Sequence, residues 1–557
     1  MKQKVVFFVL ILLSAVTLRF FRLGNDGHPL LWDEAANGYN AYSLLSTARD
    51  EYGTFLPPVL KSFGDYKPAL TAYLTIPSVA IFGLTEFAVR LPSAVFGVLI
   101  VVMIFLTTNE LFPGYNISVG KVKLSDGFFA ALVASFNPWL VHFSRGGWEA
   151  NVCLGLTLAG IWSFLRSRRQ PLFLLLSATA FGLTFLTYQG AKLFTPLIIL
   201  VLITLYGRKI FAVKPRILFI SGATLVALAA PIFLNLLTTG SRLGILNVFS
   251  YLSPDQLAIA SREERIGGSS TPLDLFHGAW LAQMRRILEG YFNHFSGRFL
   301  FYEGDWNDGR LGSPYVGQFY WPDLFFITVG LVTIIRRKEQ RELCLLALWL
   351  GISPLPAAFS RDVIHALRSY NLAAPLIILA GIGVQTAVSF LVKLPRSVGI
   401  SLAGLLLIAY SWDVAYYLDS YYVQAPIISA RDWLYGYKEA VTAIKEINPA
   451  NLPVYLTQKM GQPYIFVLFY DKVDPRLYQT QAYLKENPGG DVGEVDRFAN
   501  FHFRDLYWPA DRGLRSSFFI GTQDELPTKD IDPRQAAIVK DIVRPDGSVA
   551  LRIVKTF

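Results

Sequence analysis

Apolar residues in this chain do not alternate with polar ones; they gather into long runs broken by short polar connectors. The runs fall near 5–18, 90–112, 127–142, 149–165, 172–188, 193–207, 217–238, 319–335, 342–359, 369–390 and 397–413. Runs of this length predict about eleven transmembrane helices. A further apolar segment, Lys67–Leu84, is short, with Pro68 at its head and Pro77 inside. After 414 the pattern changes. Val441–Lys445 has helical texture, and Val454–Leu456, Ile465–Tyr470 and Val549–Val554 read as strands, so a small α/β domain is expected at 414–557. The expected fold is thus a membrane all-α bundle over 1–413, with interfacial helices in its first outer loop, followed by that α/β domain.

Charge sets the direction. If Lys67–Leu84 lies in the interface rather than spanning, and the N-terminus is cytoplasmic, five basic clusters all fall inside: Lys121/Lys123, Arg166/Arg168/Arg169, Arg208/Lys209/Lys214/Arg216, Arg336/Arg337/Lys338/Arg341 and Lys393/Arg396. Arg19 and Arg22, just past the first helix, run against this map. The expected location is a cell membrane crossed many times, with the outer side carrying 22–89, 142–149, 239–318, 360–368 and the C-terminal domain. The start, Met1-Lys2-Gln3-Lys4 and an apolar run, has no small-x-small cleavage site after it and reads as a retained helix.

Composition agrees with the membrane. The 557 residues are 53% hydrophobic and 17% charged, too little polar surface for a soluble protein of this size. The net charge of +10 lies in the clusters flanking the runs, which removes the case for a nucleic-acid partner. Cys153 and Cys344 sit inside apolar runs and form no disulfide framework.

The candidate chemistry lies in the outer loops. Leu30-Leu31-Trp32-Asp33-Glu34 sets two carboxylates after apolar residues, and a carboxylate partly withdrawn from water is a stronger base. The competing reading makes Asp33 the cap of a helix over Ala35–Leu45, with Glu34 favouring its dipole. Tyr66-Lys67-Pro68 presents a cation that can hold a phosphate or simply snorkel, and Arg90 offers the same choice. In His142–Glu149, Arg145 beside two glycines can approach an anion or pair with Glu149. In Ser360–Arg368, the residues Arg361, His365 and Arg368 recur near helical spacing and could cradle a phosphate, unless Asp362 already neutralises Arg361. The stretches around His294, Tyr302 and Asp305 mix rings with polar groups, as a sugar site does and as membrane interfaces also do. No His/Cys/Asp set has metal-ligand spacing, which leaves room for a divalent metal without naming its ligands. No glycine loop for a soluble nucleotide is found.

At Asp33-Glu34, Tyr66-Lys67-Pro68-Ala69-Leu70, Phe87–Ala94 and Ser144-Arg145 the sequence resembles the GT-C glycosyltransferases of the protein O-mannosyltransferase and aminoarabinose-transferase type, over roughly residues 5–415. The resemblance implies a polyprenyl-phosphate sugar donor, a hydroxyl acceptor, inversion at the anomeric carbon and a first-loop acid as base. Carried over, Asp33 is the base, Glu34 its neighbour or an acceptor contact, and Lys67 a donor-phosphate ligand. Where the family often has Lys-Pro-Pro, this chain has Lys67-Pro68-Ala69. Arg145 transfers more weakly, and Arg361, His365 and Arg368 are placed by position alone, while Tyr66, Glu149, His294, Tyr302 and Asp305 are candidate substrate contacts. The alternative is a transporter or lipid flippase. Such proteins keep ionisable groups near the bilayer midplane and often carry internal repeats; the span centres here are almost free of charge, and no repeat is found. A third reading, a scaffold displaying the tail, leaves the first-loop charges without a task.

Overall fold

The computed structural model describes residues 2–63, 65–119, 122–210, 213–239, 279–485 and 494–557. Helix covers every one of the apolar runs. Six helices among the described residues are long and apolar enough to cross a membrane: Glu86–Leu111, Ala191–Arg208, Pro215–Leu236, Gln340–Ala358, Tyr370–Leu391 and Arg396–Ile428. Leu70–Phe82, Asp126–Phe136 and Phe173–Phe185 are apolar but shorter. The 13 residues of Leu70–Phe82 reach about 20 Å, short of a hydrocarbon core of about 30 Å.

The chain divides into two compact units that differ from a division at 413/414. One comprises Met1–Phe21, Ser93–Arg145 and Glu149–Leu418; the other comprises Arg22–Pro92, Gly146–Trp148 and Asp419–Phe557.

In the first unit the run 127–142 is two helices, Asp126–Phe136 and Pro138–Arg145. Pro138 has no N–H for the first helix to use, and the Asn137 side chain accepts from Leu140 N at 3.0 Å to cap the second. Arg19 belongs to the last turn of the Lys2–Phe20 helix. It is fully buried and donates to the Ala134 and Ser135 carbonyls, both at 3.1 Å, so it ties the two helices together. Arg337 pairs with Asp126 at 2.5 Å, and buried Glu110 gathers Arg166 and Arg169 at 3.3 and 3.4 Å. The helices Trp321–Arg337 and Ala373–Leu391 touch backbone to backbone: a Cβ on Gly330 would strike the Leu379 carbonyl, and one on Gly383 the Phe326 carbonyl. Residues 240–278 of the expected long outer loop lie outside the described residues. The remainder begins with the helix Ala279–Asn293 and a π-helical turn, Arg298–Tyr302.

The second unit holds a seven-stranded sheet. In order across it, the strands are Ala536–Val543, Val549–Thr556, Phe518–Gly521, Val454–Leu456, Phe501–Phe503, Glu494–Phe498 and Tyr483–Lys485. The central Val454–Leu456 pairs in parallel with both neighbours, and the other pairings are antiparallel. Trp508, Phe519, Leu526 and Val554 pack a core against it. Ile465–Tyr470 is not the strand its apolar run predicts but part of a helix, Pro463–Tyr470. The run is buried all round, so it has no period to read, and proline at the helix start tips the balance. Tyr437, from the Tyr437–Ile447 helix, stacks on Phe466 at 4.5 Å.

The glycine crossing makes a prediction. Gly383→Leu forces backbone apart and should lower stability by about 1–3 kcal/mol or more. Gly222→Leu, where a Cβ meets open space, should fold and melt like the wild type; melting of the two purified variants checks the contrast.

Candidate active site

The helix Trp32–Thr47 begins after Leu31, whose backbone is extended (φ −80°, ψ 161°). Its N-terminus is closed by Glu34, whose Oε2 accepts from Leu31 N at 3.0 Å. The cap is therefore Glu34, and not Asp33 as the competing reading has it. Glu34 is 1% exposed and accepts three further bonds: Arg90 Nε at 2.9 Å, Arg90 guanidinium Nη2 at 3.2 Å, and Gly147 N at 2.7 Å. A side chain on Gly147 would press on Glu34 Cγ at 3.2 Å, so the close backbone approach favours glycine there.

Arg90 is as deeply buried as its partner. It also donates to the His28 and Pro29 carbonyls at 3.1 and 2.9 Å and to Asp26 Oδ1 at 3.4 Å, and it lies 5.9 Å from the Trp433 ring. Asp26 accepts from Tyr421 hydroxyl at 3.1 Å. Each of the three guanidinium nitrogens finds an acceptor within the unit, which is the condition under which a buried ion pair holds. Arg90 thus neither snorkels nor waits for a phosphate.

Asp33, one residue earlier on the helix, is different. Its side chain is 44% exposed, and its carboxylate pairs with Lys67, which is 14% exposed. Lys67 stands on the second strand of the hairpin Val59–Ser62/Asp65–Pro68, opposite Leu60 in register. Its ammonium also lies 4.4 Å from the centre of the Phe63 ring, a cation–π contact. Tyr66 is half-buried on the same strand, opposite Lys61.

Glu51, which the sequence did not single out, lies in the same unit and is fully buried. Burial, reinforced by Asp50, pushes its pKa up to about 8, against the pull of Lys67. Its signal was hidden in Arg49-Asp50-Glu51, a charge run that reads as a solvated loop.

The remaining candidates lie in the first unit. His294 is fully buried; one ring nitrogen meets the Gly290 carbonyl at 2.5 Å, and the other accepts from His365 N at 3.1 Å. Burial lowers its pKa to about 4, so it pins backbone as a neutral ring. Asp305 accepts from Ala366 N at 2.7 Å and from Asn307 and Asp308 N at 3.0 and 3.2 Å, and burial raises its pKa to about 7. These two residues fix the 360–368 loop, which is not helical. Within it Asp362 pairs with Arg368; Arg368 also donates to Ser360 Oγ at 2.9 Å, and burial, then Arg368, pushes the His365 pKa well down. The Arg361 carbonyl accepts from Arg286. Arg145 is buried and donates to the Leu18 carbonyl at 2.9 Å. Glu149 opens the helix Glu149–Ser167, and Tyr302 is exposed at the end of the π-helical turn. Among the described residues no group of three or more His, Cys, Asp or Glu is placed to hold a metal ion.

Residues 66–234 match the sequence model of the family described as dolichyl-phosphate-mannose-protein mannosyltransferase. The structure of ArnT from Cupriavidus metallidurans bound to undecaprenyl phosphate superposes with a TM-score of 0.52 at 13% identity, over 98% of this chain and 97% of that one. Its apo structure gives 0.52 at 14% identity, over 99% and 98%. The fold is that of ArnT. The long apolar helices support a membrane protein. The oligosaccharyltransferase AglB from Archaeoglobus fulgidus, in complex with an inhibitory peptide and a dolichol-phosphate, scores 0.49 at 13% identity, over 84% of this chain and 63% of that one. No curated protein matches the chain.

The two neighbouring carboxylates should separate in a stability assay. Glu34→Ala strands the Arg90 guanidinium in the interior and should cost about 3–5 kcal/mol. Asp33→Asn should stay within about 1 kcal/mol, as a half-exposed pair does. Denaturant unfolding of both variants in detergent measures the difference.

Proposed function

We propose that this chain is an inverting glycosyltransferase that moves a sugar from a polyprenyl-phosphate donor to a hydroxyl of a protein, lipid or cell-envelope glycan on the non-cytoplasmic face. Asp33 is the base, and Lys67 is the ligand of the donor phosphate. The observation that carries this reading is the Asp33–Lys67 pair: of two adjacent carboxylates, Glu34 is committed to four donors in the interior, and Asp33 keeps a half-exposed face beside a cation. The family match begins at Tyr66, one residue before Lys67, and ArnT, of the same fold, binds undecaprenyl phosphate.

The chemistry follows from these positions. As the bond from sugar to phosphate opens through an oxocarbenium-like state, negative charge grows on the departing lipid phosphate. An ammonium held among an aromatic ring and a hairpin backbone stabilises that charge better than the same group would in open water. Asp33 takes the proton of the attacking hydroxyl on the opposite face of the sugar. No separate acid is needed, because the phosphate leaves readily on its own. The side of the membrane is supported by the five basic clusters, whose agreement requires the first loop to be outside.

Asp33→Asn should lower the turnover of a polyprenyl-phosphate sugar by about 10²–10⁴-fold while the protein still inserts and melts normally. Lys67→Met should lower turnover and donor binding together. Wild-type turnover in Asp33→Asn, followed with a radiolabelled donor, would overturn the assignment of the base.

A further inference from the structure

Two of the basic clusters meet at one end of the first unit, around a cavity of about 230 Å³. The helices Glu86–Leu111 and Ala191–Arg208 finish there and Gln340–Ala358 begins there, so the cavity lies at the level where spans leave the hydrocarbon. Buried Glu110 stands in its wall and meets three guanidinium groups, those of Arg166 at 3.3 Å, Arg169 at 3.4 Å and Arg168 at 3.9 Å. One carboxylate does not balance three cations, so Arg168 and Arg169, both in the lining, keep positive charge to offer, and the Arg169 side chain is 57% exposed. Glu339 and Glu342 line the same cavity. Each accepts from a hydroxyl, Glu339 from Tyr115 at 2.8 Å and Glu342 from Tyr206 at 3.4 Å, and a neutral donor leaves the carboxylate its charge. Arg168 and Arg341 lie 4.8 and 5.6 Å from the centre of the Tyr206 ring, within cation–π range. Two arginines and two glutamates thus share one cavity without closing it as ion pairs with each other.

We propose that this cavity takes the headgroup of an aminophospholipid, its phosphate against Arg168 and Arg169 and its primary ammonium against Glu339 and Glu342. A phosphate alone is repelled by the glutamates, and an ammonium alone by the arginines; a group that carries both charges satisfies both walls. Guanidinium groups match phosphate oxygens with paired donors. An ammonium with three N–H groups can serve two carboxylates, whereas a trimethylammonium has no hydrogen to give them. Leu111 and Pro113 add an apolar section to the lining, which suits the glycerol end of a lipid and adds nothing for a small soluble zwitterion. Basic pockets between helices on the cytoplasmic side of a membrane hold lipid headgroups, and the charge pattern reads this end as cytoplasmic. None of these residues belongs to the unit that carries Asp33 and Lys67.

The test uses the full chain, delipidated in a neutral detergent. Native mass spectrometry reads the lipid retained from micelles doped with phosphatidylethanolamine, phosphatidylcholine or phosphatidylglycerol of the same acyl chains. Phosphatidylethanolamine should bind about tenfold more tightly than phosphatidylcholine, the scale of one hydrogen bond to a charged group, and more tightly than phosphatidylglycerol, whose head has no ammonium. Glu339→Gln/Glu342→Gln should erase the preference over phosphatidylcholine, and Arg169→Ala should weaken both lipids together. Equal binding of the ethanolamine and choline lipids to the wild type overturns the proposal. So does stronger binding of phosphatidylglycerol, which marks a site for anions, and so does a preference that survives the double variant, which puts the lipid elsewhere. Soluble phosphoethanolamine separates the two sources of this headgroup: if it occupies the protein as tightly as the lipid does, the ligand is a free zwitterion and the lipid assignment fails. If the double variant does not fold, Glu342→Gln carries the comparison, and the wild-type lipid series needs no variant.

Discussion

The segment Arg22–Pro92 is organised around one buried ion pair. Glu34 and Arg90 are 56 residues apart in sequence, and together they close a helix N-terminus, hold the carbonyls of His28 and Pro29 and dock the Gly147 backbone. Two opposite charges withdrawn from water are tolerable only if their bonding capacity is filled, and here both are densely bonded. The clamp fixes the register of the helix that begins at Trp32, and hence which way its second residue, Asp33, presents itself. The half-exposed carboxylate turns to Lys67 while its neighbour is held in the interior.

The bundle was legible because membrane solvation writes itself into composition over long stretches. Every apolar run is helix, and Pro138 and Asn137 show why one run is two helices. The sheet was only partly legible. Val454–Leu456 and Val549–Val554 carry the β-branched and aromatic residues that strands favour, whereas Pro463–Phe469 has no alternation to read. The site was legible as an inventory and not as an arrangement. Nothing in the spacing of Asp33, Glu34 and Arg90 says which carboxylate takes the arginine. The choice depends on Gly147, more than a hundred residues along the chain, supplying a further donor to Glu34.

The same limit applies to the 360–368 loop. Its spacing looks like one cationic face, but Asp362 draws Arg368, and His294 and Asp305, from another loop, bind its backbone. A neutral buried imidazole and a carboxyl ringed by amide N–H groups are good backbone anchors. We assign His294 and Asp305 to holding the loop's shape, a role that a motif read along the chain does not reveal. Glu51 shows the converse: a residue of the charged stretch Arg49-Asp50-Glu51 is interior, and its charge acts on Tyr464 and Tyr478 from the far end of the sequence.

The hairpin that carries Lys67 has one more consequence. Side chains on its strands alternate between two faces with a period of two, and its pairing runs from Val59–Pro68 to Ser62–Asp65. Inserting or deleting a single residue that the turn does not absorb would shift the register and send Lys67 to the opposite face. Substitutions nearby are graded changes; a change of length there is all-or-nothing. The length of this hairpin, independent of its composition, is therefore a heritable constraint, and a homologue with an odd-numbered insertion between the strands could not use a lysine at this position in the same way.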